Sequence, residues 1–221
     1  MGTRVLNRSQ RYGNINWNNV ASGATGFKLQ LEHFYFAPTE RLLEDDDGLF
    51  MAVALTCILI DTLAQYEDGA EHSTKGVFMS WLREWVPGAR ERLPVAIECS
   101  TGKGKILKIE DYAAAVYHGY RCGILHEAHP YMFCGIAGQY RAIKNQETTF
   151  TCHLRGLTEY EDGAPCPTVV VDATKFLSAV RHRFNAYFDL LVSGSPEGNR
   201  LMVNFNRKFR ASHGIDIGND H

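Results

Sequence analysis

The chain lacks a charge of one sign. Its 23 lysines and arginines stand against 25 aspartates and glutamates in 221 residues, a formal net charge of −2. That excludes a global basic field advertising nucleic acid and leaves only local patches to do so. No uninterrupted apolar run reaches the ~18 residues that would predict a membrane span. The opening residues, MGTRVLNRSQRYGNINW, lack the apolar segment of a signal peptide, so the expected compartment is the cytoplasm and no membrane partner is expected. The 6 cysteines, at positions 57, 99, 122, 134, 152 and 166, form no CxxC pair. This argues against a zinc ribbon or thioredoxin-like motif, and in the cytoplasm it predicts free thiols. Ser100–Lys105, STGKGK, has the composition of a phosphate loop without its GxxxxGK[ST] order, and reads as a mobile basic loop.

What is present is a globular composition, 45% hydrophobic and 22% charged, and a pattern that is mainly helical. The Asn- and Gly-rich residues 1–37 read as an arm or loop-rich segment, with FKLQLEHFYF as a short structured piece. Residues 38–212 read as one helical domain, and 213–221 as a flexible tail. Asp45, Asp46 and Asp47 precede a long apolar segment that Gly69 ends. The acids suit the positive end of a buried helix, and this solvated start outweighs a metal site as a reading. Phe78, Trp81, Leu82 and Trp85 recur at i, i+3, i+4 and i+7, a second helix stopped by Pro87-Gly88. IAGQYRAI, TTFTCHL and PTVVVD suggest a small antiparallel hairpin or sheet inserted near 136–171. Asp172 then caps a helix striped by Phe176, Val180, Phe184, Tyr187 and Leu191. A last basic amphipathic helix carries Met202, Phe205 and Phe209.

The segment AAVYHGYRCGILHEAHPY, Ala114–Tyr131, puts costly groups on a helical background. A buried polar group without a partner costs a few kcal/mol, so these groups either satisfy one another or do chemistry. At about 100° per residue, His118, Arg121, Cys122, His126 and His129 share less than half of the circumference, and Tyr120 and Glu127 point the other way. Three readings fit such a face. His118, Cys122 and His126 at i, i+4, i+8 suit a zinc ion, but Arg121 in their midst repels a cation, and HEAH falls one residue short of HExxH. No metal or cofactor is therefore expected. A polar seam in the core or at an interface is the second. The third is a catalytic pair: a guanidinium that recognises phosphate and an imidazole that exchanges protons near neutral pH.

RCGILH, Arg121–His126, resembles the Arg-x4-His signature of the HEPN superfamily of helical nucleases and nucleic-acid-associated domains. The order of elements is similar to that family as well, with two helices before the motif helix and more after it. The resemblance implies a HEPN-like up-and-down helical bundle. It implies a homodimer in which Arg121 and His126 of two chains face one cleft and cleave RNA without a metal. A protein antitoxin or operon partner follows from the same resemblance. His118, Cys122 and His129 would support the site, and Asp61, a lone acid in an apolar helix, would orient Arg121 or His126; a surface position for Asp61 is an equal alternative. Cys122 stands where many HEPN nucleases have Asn, Asp or His. The alternative function is therefore a catalytically silent HEPN-like domain that binds RNA, nucleotide or a protein partner. Arg181, Arg183, Arg207, Lys208 and Arg210 make the C-terminal helices the expected RNA-binding patch.

Overall fold

The computed structural model describes residues 19–100, 106–128, 130–131, 133–138, 148–159 and 165–213. The side chain of Asn19 accepts the Ser22 N–H at 3.0 Å and starts α1, Val20–Leu31. A π-helical stretch, Glu32–Phe36, carries the chain on into α2, Ala37–Leu42. The loose arm expected through residue 37 is thus helical from Val20 onward, and its remainder lies outside the described residues. The reason is burial. Ala24, Phe27, Leu31 and Phe36 are no more than 6% exposed, and an apolar face spaced by three to five residues outweighs the poor helix propensity of Gly23 and Gly26.

Helix α3, Leu49–Asp68, is the centre of the molecule, in contact with α4, α7 and α8. Gly69, at φ +71°, ends it in the left-handed conformation that glycine adopts without strain. By length and composition this helix could cross a membrane, but most of its apolar window is covered by the protein's own helices. Thr74 caps α4, Lys75–Trp85, by accepting the Val77 N–H at 3.2 Å. Phe78, Trp81 and Leu82 face inward from it, as their spacing predicts. Asp172 caps α7, Ala173–Leu191, by accepting the Lys175 N–H at 2.9 Å. Its five-residue apolar stripe is buried throughout. In α8, Pro196–His213, the buried face is Leu201, Phe205 and Phe209, with Met202 at its margin.

Two small sheets complete the fold. Strands β1, Arg92–Ser100, and β2, Ile106–Asp111, form an antiparallel hairpin. The sequence hides it, because Pro94 interrupts the first strand and polar residues interleave the second. Residues 101–105 of the expected basic loop lie outside the described residues. The second sheet has the order β3-β5-β4, with β3 at Cys134–Ala137, β4 at Phe150–Glu159 and β5 at Pro165–Asp172. β4 pairs with β5 antiparallel, but β3 pairs with it in parallel. Val169, Val170 and Val171 of the central strand are all buried, the continuous apolar run of a strand covered on both faces. The molecule is mainly helical, as expected. The expected tail begins at the last residue of α8, and residues 214–221 lie outside the described residues. Among the described side chains Cys57, Cys99, Cys122, Cys134 and Cys152 are free thiols.

Candidate functional site

The segment that carries the costly side chains is not one regular α-helix. Asp111 starts it, accepting the Ala114 N–H at 2.7 Å through Oδ1 and pairing with Arg83 at 2.7 Å through Oδ2. One turn, α5, Tyr112–Ala115, gives way to a seven-residue π-helical stretch, Val116–Cys122, and then to α6, Gly123–Glu127. Ala128, at φ +59°, closes α6 in the left-handed region. A π turn holds more residues than an α turn. The 100° spacing used to draw one polar arc from His118 to His129 therefore fails across this stretch. Sheet packing accounts for the distortion. A Cβ at Gly119 would sit 2.1 Å from Cys134 Sγ and 2.7 Å from Phe133 Cε2, so only glycine lets β3 approach this closely. Next to it Tyr120 is fully buried, its hydroxyl 2.6 Å from the Gly135 carbonyl and 2.7 Å from the Val169 carbonyl.

With Tyr120 fixed in the sheet, Arg121 is turned toward α3. Its Nε donates to Asp61 Oδ2 at 3.0 Å, and the two side chains are only 16% and 12% exposed. Ser73, just before the α4 cap, donates to Asp61 Oδ1. Asp61 thus takes the inward alternative of the two open to it. The guanidinium also lies 5.5 Å from the centre of the Tyr117 ring, close enough for cation–π attraction. Burial pulls the Arg121 pKa down, but the Asp61 charge and hydrogen bond more than offset it, and the net shift is upward. Arg121 is a fixed cation. Burial, with the Asp61 charge added, pushes up the Cys57 thiol one turn before Asp61 on α3, so that sulfur stays protonated. Burial and the adjacent Cys122 raise Tyr117.

His118 stands apart from this pair. Its Nε2 is buried and has no hydrogen-bond partner among the described residues. Burial, reinforced by the Lys75 charge, lowers its pKa to about 4. It is neutral at physiological pH and suited to accept a proton only under strong driving force. His126 is exposed near the end of α6, with no partner among the described residues. Arg121 lies near the end of the π-helical stretch and His126 near the end of α6, five residues on. His129 lies outside the described residues. Among the described residues no three His, Cys, Asp or Glu side chains gather to hold a metal ion.

The expected basic patch does not survive as a single surface. Arg183 is 5% exposed, with Nε and Nη2 bound to Glu67 at 3.0 and 2.5 Å, and it is a core residue rather than an RNA contact. Burial imposes that pairing, since an unpartnered guanidinium inside the fold would be prohibitive. Arg181 lies on the Phe36 ring at 3.9 Å and is tied to Glu32 and Glu40. Lys208 donates to the Glu71 carbonyl at 2.6 Å. Arg207 and Arg210 are exposed.

Sequence reasoning singled out Arg121, Asp61 and Cys122, which gather around one ion pair, and His118, which stays outside it. It passed over Ser73 and Tyr117. Tyr117, four residues before Arg121, carried a usable spacing signal; Ser73 carried none. Compared with known proteins, the chain matches no family model, no curated protein and no solved structure.

Proposed function

We propose that the chain is a metal-independent endoribonuclease of HEPN type, with Arg121 as the phosphate-binding cation and His126 as the proton carrier. One observation carries the reading. Asp61 holds Arg121 through Nε and Cys122 bonds to the same side chain, yet among the described residues no carboxylate takes the terminal guanidinium nitrogens, and the exposed His126 follows on the same helical run. In the proposed reaction the RNA supplies its own nucleophile, the 2'-hydroxyl. It attacks the neighbouring phosphorus, the bond to the 5'-oxygen breaks, and a 2',3'-cyclic phosphate remains. Arg121 offsets the charge that grows on the phosphorane. His126 takes the hydroxyl proton or delivers one to the leaving oxygen. Lowered to about 4, His118 is a poorer choice for either task. A homodimer that brings two Arg121–His126 pairs to one cleft fits the exposed Leu125 between them, 40% accessible in the single chain.

The burial of Arg121 favours a second reading, a catalytically silent domain in which the Arg121–Asp61 pair is structural. Gel cleavage of RNA in EDTA by parent, Arg121→Ala and His126→Ala proteins, purified side by side, separates the two. The nuclease predicts that each variant loses roughly 10²–10⁴-fold in rate. It also predicts that the double variant loses little more and that a 2'-deoxy sugar at the cut site blocks cleavage. Equal activity in parent and His126→Ala supports the silent domain.

A further inference from the structure

Away from the Arg121 pair, a cavity of about 380 Å³ opens where α3, α4, α7 and α8 meet. The buried Arg183–Glu67 pair lines it, with Trp81 and Trp85 beside that pair. Glu67 is fully engaged, since Oε1 accepts from Arg183 Nε at 3.0 Å and from Trp81 Nε1 at 2.9 Å, and Oε2 accepts from Arg183 Nη2 at 2.5 Å. Arg183 is not. Its side chain is 6% exposed, its Cζ lies 3.5 Å from the Trp85 ring centre, and Nη1 has no acceptor among the described residues. Arg183 lines the cavity, and Nη1 is the guanidinium nitrogen that Glu67 leaves over. A deeply buried guanidinium with an open donor is costly unless an anion or water meets it.

The mouth has the other sign. Asp68, Glu84 and Glu197 are exposed there, against Arg200 alone. A simple anion reaching Arg183 must pass three carboxylates, and a simple cation finds a guanidinium at the inner end. Val77 and Leu201, with the indoles, supply an apolar wall. Ligand pockets begin at about 300 Å³, so this one suits a molecule of a dozen or so heavy atoms. The geometry points to a binding site for a small zwitterion, a free α-amino acid with an apolar side chain. Its carboxylate meets Arg183 Nη1, its ammonium lies toward Glu84 and Glu197, and its side chain rests on the Trp81–Trp85 wall. The inference is independent of the chemistry assigned to Arg121.

The test is calorimetry on the full chain with the twenty free L-amino acids, one at a time at about 10 mM, tenfold above a millimolar dissociation constant. L-Leucine and L-phenylalanine are the lead probes. Binding by at least one apolar amino acid is expected. Its amide, which lacks the carboxylate, and its N-acetyl form, which lacks the ammonium, should each bind at least about tenfold more weakly, the equivalent of one lost contact of about 1.4 kcal/mol. The exposed pair Glu84→Gln/Glu197→Gln should weaken binding without moving the melting temperature of the free protein. No heat with any of the twenty overturns the proposal. So does an amide that binds as tightly, which would mean a cation site, or an N-acetyl form that binds as tightly, which would mean an anion site. Unchanged affinity in the double variant removes the ammonium subsite and overturns the zwitterion with it.

Discussion

Helix α3 supplies the carboxylates of two arginine clamps, six residues and about 9 Å apart along its axis. Glu67 grips Arg183 through two nitrogens and carries a third bond from Trp81. Asp61 holds Arg121 through Nε alone and takes its other bond from Ser73. The first pair is roofed by Trp85; the second leans on Tyr117 and keeps 16% of the arginine side chain in contact with solvent. The difference lies in how much of each guanidinium its carboxylate takes up. A grip through two nitrogens holds Arg183 as a strut with only Nη1 left over, whereas Asp61 fixes the direction of Arg121 through Nε and leaves its terminal nitrogens outside any carboxylate's hold among the described residues.

The largest effect belongs to the strut. Glu67→Ala leaves Arg183 buried without its carboxylate, and urea unfolding should report a loss of about 3–5 kcal/mol. Asp61→Asn keeps the shape of the second clamp and removes its charge. Its stability loss should be smaller, about 1.5–3 kcal/mol for a charge-assisted hydrogen bond, while RNA cleavage drops. If the two substitutions cost the same and cleavage is untouched, the distinction between the clamps fails. A third measurement sharpens it through pH. Folding holds His118 neutral, with a pKa near 4 against an ordinary 6.5. Between these values the unfolded chain binds the proton and the folded chain does not, so stability is complete above pH 6.5 and falls as pH drops toward 4. His213 is shifted in the same direction, so the comparison is parent against His118→Asn, whose urea midpoint should fall less over that window. The smallest change in stability is expected for Arg207→Glu on α8, an exposed position. It should leave folding within about 0.5 kcal/mol, as exposed substitutions do. RNA affinity should weaken, with a shallower salt dependence measured by filter binding. Unchanged affinity would leave no RNA role for α8.

The helices were legible because periodicity and capping agree. The i, i+3, i+4 pattern of α4, the Asp172 cap of α7 and Gly69 after α3 each mark an element that forms where expected. The lone acid Asp61 in an apolar run was legible only as one of two equal alternatives, a partner of Arg121 or His126 or a surface residue, and its bond to Arg121 decides between them. What stayed hidden depends on contacts distant in sequence. Arg183 and Glu67 are 116 residues apart, and nothing near Arg183 tells a core cation from a surface one. Residues 20–26 looked like a loop because Asn and Gly dominate their neighbourhood, yet burial of Ala24, Phe27 and Leu31 decided the outcome. The polar arc was misdrawn because a sequence projection assumes one helical pitch, and Cys134 and Phe133, which press on Gly119, lie beyond the helix that they distort.

The π-helical stretch also makes the spacing between the Asp111 cap and Arg121 a matter of counting. Its wider turns take up about one residue more than an α-helix over the same span. Deleting one residue between Val116 and Gly119 would let the stretch tighten to α while both flanks keep their facing, because the residue removed is the one that the wider turns absorb. Tyr120 would stay on the carbonyls of Gly135 and Val169, and the Asp111 cap on Arg83. A chain descended from this one can therefore lose one residue inside the π-helical stretch and keep Arg121 on Asp61, whereas the same loss from a regular α-helix would turn one side by about 100° relative to the other.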